Sequence, residues 1–356
     1  MKRLVTTDLI ESLALAPAPS HTGEWPAERM ASLIDAAGFR WGYPVEFGGI
    51  EVGSAEMMLA YMDLARECLA TAFILTQRNA AVQRIAASDN GELRERFLGD
   101  HVHGRRLATV GISHLSTSRQ HWSRPSVTVT ETFDGFELNG EAPWVTGGGR
   151  ADLIVTGGTL EDGREILVAL QNDRAGVEVC EPLRMLALNE TETGTVRLQH
   201  VTVTAEDMVA GPVDHAMKAA SAGPTSGTGS LTTSAIALGA AEQTLNCLRD
   251  EAAKRSQLEH IVEAFVAEHA RLRNDLLTTA ASEEKGVHDI RHPADEIRLR
   301  ANSLVARAAH ALMAEAKGAG FVAGHPAEKA VREAMFFQVW SCPPSVASAT
   351  LDELIR

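Results

Sequence analysis

The last forty residues contain three neighbouring side chains with distinct chemistry. Residues 332–347, REAMFFQVWSCPPSVA, place Trp340, Ser341 and Cys342 in succession before two prolines. Because proline lacks an N–H and clashes with the preceding turn, this triplet is predicted to lie at a helix end. The Ser341 hydroxyl and the Cys342 thiol are candidate catalytic groups. Cys342 would need a lowered pKa to react as a thiolate, and the other interpretation is a buried, apolar cysteine.

A second group of reactive side chains follows the first third of the chain. The segment 110–120, VGISHLSTSRQ, offers hydroxyl groups and one imidazole, at Ser113, His114, Ser116, Thr117 and Ser118. Histidine changes its charge near neutral pH, so His114 is a candidate acid or base. The alternative is a hydroxyl-rich surface loop. Two other candidate bases are His121, which follows this loop, and His325, which precedes a proline at a predicted helix start.

The composition excludes several classes of function. The 356 residues have a formal net charge of −14 and 5% aromatic residues. A nucleic-acid partner is not expected, since phosphate neutralisation needs a basic face and base stacking needs aromatics. Four widely spaced cysteines predict neither a disulfide framework nor a zinc site. The N-terminal stretch has no apolar run of signal-peptide or membrane-spanning length, so we expect a reduced, cytoplasmic, soluble protein with no membrane partner.

Hydrophobic periodicity divides the chain into three blocks. Apolar residues recur at three- and four-residue spacing before residue 107, which is typical of amphipathic helices. Residues 108–212 alternate apolar and polar positions around Asp-Gly and Asn-Gly pairs, which predicts antiparallel strands. Residues 213–356 contain three helical stretches of twenty or more residues each, a length typical of helical bundles. The predicted domains are therefore 1–107, 108–212 and 213–356.

Four motifs follow one another along these blocks. They are GYPVEFGG (42–49), FELNGEAPWVTGGGRADLIVTGG (136–158), CEPLRMLALNETETGTVRLQHVTVTAEDMV (180–209) and KGAGFVAGHPAEKAVREAMFFQVW (317–340). In this order and spacing they resemble the acyl-CoA dehydrogenase superfamily of FAD enzymes, over nearly the whole chain. The resemblance implies an α+β fold with an N-terminal helical domain, a middle antiparallel β domain and a C-terminal helical bundle.

The resemblance also implies a cofactor site for FAD between the β domain and the bundle. Trp144 would lie near the isoalloxazine and the Thr146 hydroxyl would bond its N5 edge, because a flavin needs a wall that excludes water and a donor for reduced N5. The other implied cofactor-binding residues are Ile112, Ser113, Ser118, Lys317, Gly318, Gly320 and Trp340. Without the resemblance, Trp144 and Thr146 read as core residues of the β domain.

The carboxylate base of acyl-CoA dehydrogenases is missing from its usual position. In the superfamily the corresponding helix ends in Gln-Ile-Tyr-Glu-Gly-Thr, and the ungapped match FFQVWSCPP puts Ser341 in place of the Glu. A serine hydroxyl cannot act as an unassisted general base near neutral pH, because its pKa lies far above the working pH. Other members carry the base at the start of the helix after the β domain, where this chain has Gly229 and Ser230.

The glycine-rich turn of the superfamily is also altered. In AEAKGAG (314–320), Gly318 and Gly320 are retained, but Ala314 replaces a Gln and Lys317 replaces a Gly. Lys317 either contacts a phosphate as a point charge or is a solvated lysine at a helix end. Only Arg255 is left of the Arg-x-x-Phe-Gly segment with which a facing subunit holds FAD.

The predicted function is an FAD-dependent oxidoreductase that lacks the usual catalytic Glu and acts on a small-molecule substrate other than an ordinary acyl-CoA. One alternative is a flavin-dependent monooxygenase, in which reduced flavin meets oxygen and Ser341, Ser113 and His114 act as donors. Another is a non-catalytic subunit that pairs with an active one. The resemblance implies a homodimer or homotetramer formed through the C-terminal helices, although their small apolar face equally suits the core of a single bundle.

Overall fold

The computed structural model describes residues 2–16, 23–116, 124–220, 230–286 and 293–355. Within them the chain forms helices, then a sheet, then helices again, which confirms the predicted α+β class. The helices are α1 (Thr7–Leu15), α2 (Ala27–Asp35), α3 (Ser54–Glu67), α4 (Leu69–Ala86), α5 (Gly91–His101), α6 (Ser113–Ser116), α7 (Ala216–Ala219), α8 (Ser230–Ala252), α9 (Glu259–Glu284), α10 (Ala294–Ala316), α11 (Pro326–Val339) and α12 (Pro344–Leu354). The strands are β1 (Ala108–Gly111), β2 (Val127–Glu131), β3 (Phe136–Val145), β4 (Leu153–Leu160), β5 (Glu165–Gln171), β6 (Val177–Val179), β7 (Gly194–Val203) and β8 (Met208–Val213).

The strands form one mixed sheet. Its order is β6-β7-β3-β2-β4-β5-β8, with β1 beside β4. The pairs β2/β3 and β4/β5 are antiparallel, with Asp134-Gly135 and Asp162-Gly163 at their turns, and the first of these turns was predicted from the sequence. However, β1 and β2 each pair with β4 in parallel. The sheet is therefore mixed, whereas the sequence predicted antiparallel strands. The parallel pairs were not predicted because they join strands that are far apart in the sequence and have no turn between them.

One predicted turn lies inside a strand. Asn139-Gly140 belongs to β3, where the register against β7 shifts between Leu138 and Gly140. Gly140 has φ +137°, a conformation that glycine adopts without a Cβ clash. The Asn-Gly pair therefore marks a β-bulge. Turns and bulges both use glycine for its access to positive φ, which is why the pair was predicted as a turn.

The long apolar run before residue 87 forms two helices instead of one. Cys68 has an extended backbone, with φ −156° and ψ 108°, and separates α3 from α4. Both helices are buried over most of their length, which is typical of helices that are apolar on all sides. In the ranges that the structure describes, none of the helices combines the length and apolar content needed to cross a bilayer.

The C-terminal part contains the three predicted long helices, α8, α9 and α10. Helix α8 packs closely against α3 at Gly239, where an added Cβ would lie 2.3 Å from the backbone oxygen of Met62. Glycine is required there by this approach of two backbones. The contact joins the N-terminal helices to the C-terminal helices, and residues of both contribute to one hydrophobic core.

The end of α11 differs from the simple expectation that the prolines terminate it. The helix ends at Val339, and Ser341 adopts a left-handed conformation with φ +43°. Pro343 and Pro344 then begin α12, which the sequence reading missed. Proline is well suited to the first turn of a helix, because the N–H groups there have no intrahelical partner.

Two side chains of α10 hold the end of α11 in place. Arg298 is fully buried and donates hydrogen bonds to the backbone oxygens of Phe337 (3.2 Å) and Trp340 (2.9 Å). The Asn302 amide donates to the Phe337 oxygen at 2.8 Å and accepts from Arg298 Nε at 2.9 Å. The last carbonyls of a helix lack intrahelical donors, so these contacts satisfy them and fix where Trp340 and Ser341 lie.

The close contact at Gly239 gives a prediction about stability. We expect Gly239→Ala to lower the free energy of unfolding by about 1–3 kcal/mol, because the added methyl group overpacks the α3/α8 contact. Gly99→Ala is the matched control, since Gly99 is an exposed helical glycine of α5 with no atom within 4 Å of its added Cβ. That change should stabilise by up to about 1 kcal/mol. Urea denaturation measures both values, and equal stability of the two variants would contradict the role of Gly239.

Candidate functional site

A cavity of about 820 Å³ lies where the three parts of the chain meet. Its walls come from α3, α4, the end of β1, the segment before β7, the start of α8 and the end of α11. The lining residues are Tyr61, Phe73, Thr76, Gln77, Asn79, Ala80, Gln83, Arg84, Val110, Ile112, Ser113, Ser116, Trp144, Leu183, Arg184, Met185, Leu186, Ala187, Leu188, Thr191, Thr193, Met217, Thr232, Thr233, Ile236, Arg332, Met335, Phe336, Val339, Trp340 and Ser341. A volume of this size suits a small-molecule ligand.

Trp144 provides an aromatic surface on the β-domain side of the cavity. It lies next to the end of β3 with φ +61°, an uncommon conformation for a large side chain. The residue is 42% exposed although it lines the cavity. An indole that is accessible within a cavity can pack against a planar, apolar ligand.

Another part of the wall is an aromatic cluster at the end of α11. The Trp340 ring stacks on Phe336 with ring centroids 5.5 Å apart, and Phe73 of α4 meets Trp340 edge-on at 4.6 Å. All three residues line the cavity. The predicted cofactor-binding residues Trp144 and Trp340 therefore contribute to the same cavity, together with Ile112 and Ser113.

Threonine hydroxyls form a chain beneath this surface. Thr191 Oγ1 lies 2.8 Å from Thr193 Oγ1, which in turn lies 3.1 Å from Thr146 Oγ1. Thr191 and Thr193 line the cavity, whereas Thr146 is buried behind Thr193. The sequence reading selected Thr146 and missed the other two, because nothing in the run NETET distinguishes its threonines from surface residues.

The loop after β1 supplies part of the polar wall. Ser113 lines the cavity, and its Oγ donates a hydrogen bond to the Pro143 oxygen at 2.8 Å. Ile112 and Ser116 line it as well. His114 is not among the lining residues, and its Nε2 lies 3.0 Å from the Gly157 oxygen. Ser118 and His121 lie outside the described residues.

Ser341 and Cys342 occupy different environments although they are neighbours. Ser341 lines the cavity, in the left-handed turn that follows α11. Cys342 does not, and burial raises the pKa of its thiol despite the nearby Arg298. Cys342 is therefore a thiol near neutral pH, which disfavours it as a nucleophile or base.

The glycine-rich turn lies away from the cavity. Lys317, Gly318 and Gly320 belong to a single 3₁₀ turn between α10 and α11, and Lys317 and Gly318 are exposed. Phe321 and Val322, which follow them, are exposed too. Contacts of this turn with the cofactor of a facing subunit stay a prediction, as does association through the C-terminal helices, which the mass of the purified protein in solution tests.

The charged residues of the described cavity wall are all positive. Among the described residues that line it there is no aspartate, glutamate or histidine, whereas three arginines do so: Arg84, Arg184 and Arg332. Arg332 is paired with Glu328 and donates to the Leu186 oxygen at 3.1 Å. A side-chain base that would abstract a proton from a ligand is absent from this part of the wall. No group of three or more metal-type ligands occurs in the described ranges.

Tyr61 is the other titratable group on the wall. It is almost fully buried and its hydroxyl accepts a hydrogen bond from Asn79 Nδ2 at 2.9 Å. Burial raises the pKa of Tyr61 to about 12. The phenol is thus protonated at neutral pH, and it can donate a hydrogen bond to a ligand but cannot act as a base.

Comparison with known proteins shows which family the N-terminal residues and the fold resemble. Residues 9–105 match the model described as acyl-CoA dehydrogenase, N-terminal domain. The structure of butyryl-CoA dehydrogenase from Megasphaera elsdenii aligns over 100% of this chain and 99% of that chain, with a TM-score of 0.83 and 18% identity. The chain therefore resembles the acyl-CoA dehydrogenases in the sequence of its N-terminal residues and in its overall fold.

Other similar proteins differ in their cofactor and reaction. The structure of FMN-bound TdsC from Paenibacillus sp. A11-2 aligns over 98% of this chain and 94% of that chain, with a TM-score of 0.80 and 15% identity. The acryloyl-CoA reductase (NADH) of Anaerotignum propionicum is 26% identical over 132 residues, which are 37% of this chain and 34% of that relative. The chain thus matches about a third of the length of this curated relative. At these identities the structures establish the superfamily fold and leave the reaction open.

The buried tyrosines give a prediction about pH. Tyr43 and Tyr61 are the two tyrosines of the chain, and burial raises the pKa of both, that of Tyr61 to about 12. The native state therefore holds more protons than the unfolded state above a pH of about 10, and its stability should fall as the pH rises from there to about 12. Native protein should show no phenolate absorbance near pH 10.

An ultraviolet absorbance titration measures this directly. Protein unfolded in urea is the control and should titrate with a pKa of about 10. The Tyr43→Phe variant leaves Tyr61 as the single phenol and isolates its titration. A native phenolate signal with the same midpoint as the urea control would show that Tyr61 is accessible to water and not held as proposed.

Proposed function

We propose that the protein is a flavin-dependent oxidoreductase of the acyl-CoA dehydrogenase superfamily that works without a carboxylate base, on a substrate other than an ordinary acyl-CoA. The observation that carries the proposal is the composition of the cavity. Trp144, Trp340, Ile112, Ser113 and Ser341 line it together, and the sequence match assigns Ser341 to the position of the superfamily's Glu. An apolar, aromatic wall is thus combined with hydroxyl donors and no side-chain base among the described lining residues.

The residues present suit a flavin ring. Trp144 offers an accessible indole face, and Ile112 and Trp340 add apolar surface. The hydroxyl groups of Thr191, Thr193 and Ser113 provide polar contacts at the edge of that surface. A bound flavin supplies the hydride or electron chemistry, whereas the protein provides binding, orientation and the exclusion of water. The described lining residues support a flavin and do not select FAD over FMN.

The side chains of the cavity restrict the reaction. The Ser341 hydroxyl has no histidine beside it on the described wall that would accept its proton, so it acts as a hydrogen-bond donor or acceptor. Tyr61 is a second donor. The aromatic cluster of Phe73, Phe336 and Trp340 excludes water from one side. These features favour oxidation or reduction of a substrate that needs no proton removed by a side chain.

A flavin-dependent monooxygenase is the second candidate. The same observation favours it, since hydroxyl donors in place of a carboxylate suit a reaction between reduced flavin and oxygen. The two functions differ in which redox state of the flavin the protein binds tightly. An oxidoreductase keeps its oxidised flavin through purification, whereas a protein that takes up reduced flavin from solution binds the oxidised form weakly. Oxygen uptake after addition of reduced flavin separates them.

Retention of flavin tests the proposal. We expect the purified protein to keep visible flavin absorbance after FAD or FMN is added and excess ligand is removed by desalting. Trp144→Ala should weaken binding by about tenfold or more, because stacking on an aromatic ring contributes about 0.5–1.5 kcal/mol beyond the lost apolar contact. Phe133→Ala is the control, since Phe133 is a fully exposed aromatic residue outside the cavity.

The outcome discriminates between the functions. If neither flavin is retained by the wild type, the dehydrogenase-like function is refuted, and the reduced-flavin monooxygenase or a non-catalytic subunit is left. If Trp144→Ala and Phe133→Ala bind flavin equally, the assigned position of the ring is wrong.

The absence of a base gives a separate prediction. In deuterated water the wild type should exchange the α-protons of butyryl-CoA no faster than the uncatalysed rate. The Ser341→Glu variant should exchange them about 10²–10⁴-fold faster than the wild type, because a general base contributes about that factor. Mass spectrometry of the thioester measures the exchange. Ser341→Gln is the matched control, since it has the size of glutamate but no basic group. Exchange by the wild type at the rate of Ser341→Glu would mean that another group serves as the base.

A further inference from the structure

Arg84 is an unusual residue of the cavity wall. It lies near the end of α4 and lines the cavity together with Gln83 and Ala80 of the same helix. The residue is 3% exposed. Arginine is almost never buried to this degree without a charged partner, so a partner of its guanidinium group is expected.

The guanidinium group of Arg84 is largely without partners. Its Nη1 donates a hydrogen bond to the Ala80 oxygen at 2.8 Å. Its Nε is buried and has no hydrogen-bond partner, and no partner of Nη2 occurs among the described residues. The Nε–Nη2 edge is the side on which arginine binds a carboxylate or phosphate with two parallel hydrogen bonds. That edge is therefore available.

Within the described ranges, no acidic group compensates the charge of Arg84. Burial lowers the pKa of Arg84 to about 10, and no charged side chain contributes to the shift. The guanidinium group is still protonated at neutral pH. A buried charge without a partner is costly, so the folded protein carries an unfavourable contribution here that an anion would relieve.

Two other buried arginines have more partners than Arg84, although each also has one buried nitrogen without a hydrogen-bond partner, Nε of Arg78 and Nη1 of Arg298. Arg78 donates to Asn79 Oδ1 and to the His101 oxygen, and it lies over the rings of Phe39 and Tyr43. Arg298 has three acceptors, Asn302 Oδ1 of α10 and the backbone oxygens of Phe337 and Trp340 at the end of α11. Neither Arg78 nor Arg298 lines the cavity. Arg84 differs from both in having a single backbone acceptor and a position on the cavity wall.

We propose that Arg84 binds an oxyanion, a carboxylate or phosphate group, of the ligand that fills this cavity. The inference rests on the proposed function in assuming that the cavity binds flavin and substrate. Two sources have the same chemistry: a carboxylate on the substrate, or the phosphate of the flavin. Within the described wall no carboxylate competes for Arg84, and the cavity thus favours anions even though the whole chain has a net charge of −14.

Binding measurements test the proposal and separate the two sources. Quenching of tryptophan fluorescence is a suitable signal, because Trp144 and Trp340 line the cavity. One arm compares FMN with riboflavin, which lacks the phosphate. The other compares glutarate with its dimethyl ester, which lacks the charges. We expect the wild type to prefer the anionic member of at least one pair by about tenfold or more, as for a charge-assisted, bidentate contact.

Substitution then assigns the preference to Arg84. Arg84→Met keeps the volume and removes the charge, and it should abolish the preference. It should leave thermal stability unchanged or raise it, because replacing a buried, uncompensated charge with an apolar group is often neutral or stabilising. Arg184→Met is the control, since Arg184 also lines the cavity but is exposed. It should change either preference by about threefold or less, as expected for a solvent-screened charge.

Each result has a defined meaning. Loss of the FMN preference assigns Arg84 to the flavin phosphate, and loss of the glutarate preference assigns it to a substrate carboxylate. The proposal is overturned if the wild type shows no preference in either arm, if Arg84→Met retains the preference, or if that variant is destabilised as strongly as Arg298→Met. The two comparisons made on the wild type, FMN with riboflavin and glutarate with its dimethyl ester, need no variant and stay informative if Arg84→Met does not fold. If neither flavin binds, the proposed function fails, while the glutarate arm still decides whether Arg84 binds an anion.

Discussion

The buried contact between Arg298 and the end of α11 determines how this site is built. A helix end leaves carbonyl groups without donors, and here Arg298 and Asn302 of α10 satisfy those of Phe337 and Trp340. The chain can then turn through the left-handed residue Ser341 into α12. As a result, Trp340 and Ser341 face the cavity, whereas Cys342 lies beside Arg298. Within α11 itself, Trp340 is held by stacking on Phe336, and the contacts from α10 add the hydrogen bonds that the helix end lacks.

The cavity combines a familiar architecture with a changed charge distribution. The superfamily fold brings the β domain and the C-terminal helices to one space, and Trp144 and Trp340 form its aromatic sides. The described wall contains arginines and hydroxyl groups and no carboxylate. Electrostatic interactions are stronger in a low-dielectric environment, so the buried Arg84 has a large effect on which ligands this wall favours.

Much of the fold was predictable from local patterns. Helical periodicity and turn residues predicted the order of helices and strands, and Asp134-Gly135 predicted the β2/β3 hairpin. Patterns of this kind report neighbours in sequence. They did not reveal the parallel pairings of β4, the break at Cys68 or the bulge at Gly140, because each depends on contacts with distant parts of the chain. Helix α12 was missed because the two prolines indicate a helix end as readily as a helix start.

The sequence by itself indicated the order of helices and strands and a resemblance to the acyl-CoA dehydrogenases, and from that resemblance it predicted Ser341 at the position of their glutamate and aromatic residues near a flavin. Only the tertiary structure decided which side chains share the cavity. Thr146 lies behind Thr193, and His114 bonds a backbone oxygen away from the wall. Arg84 reads in the sequence as a solvated helix residue, since its burial arises from elements packed around α4. Residue type and spacing specify the available chemistry, but burial and unsatisfied hydrogen bonds, which depend on packing, decide where it can act.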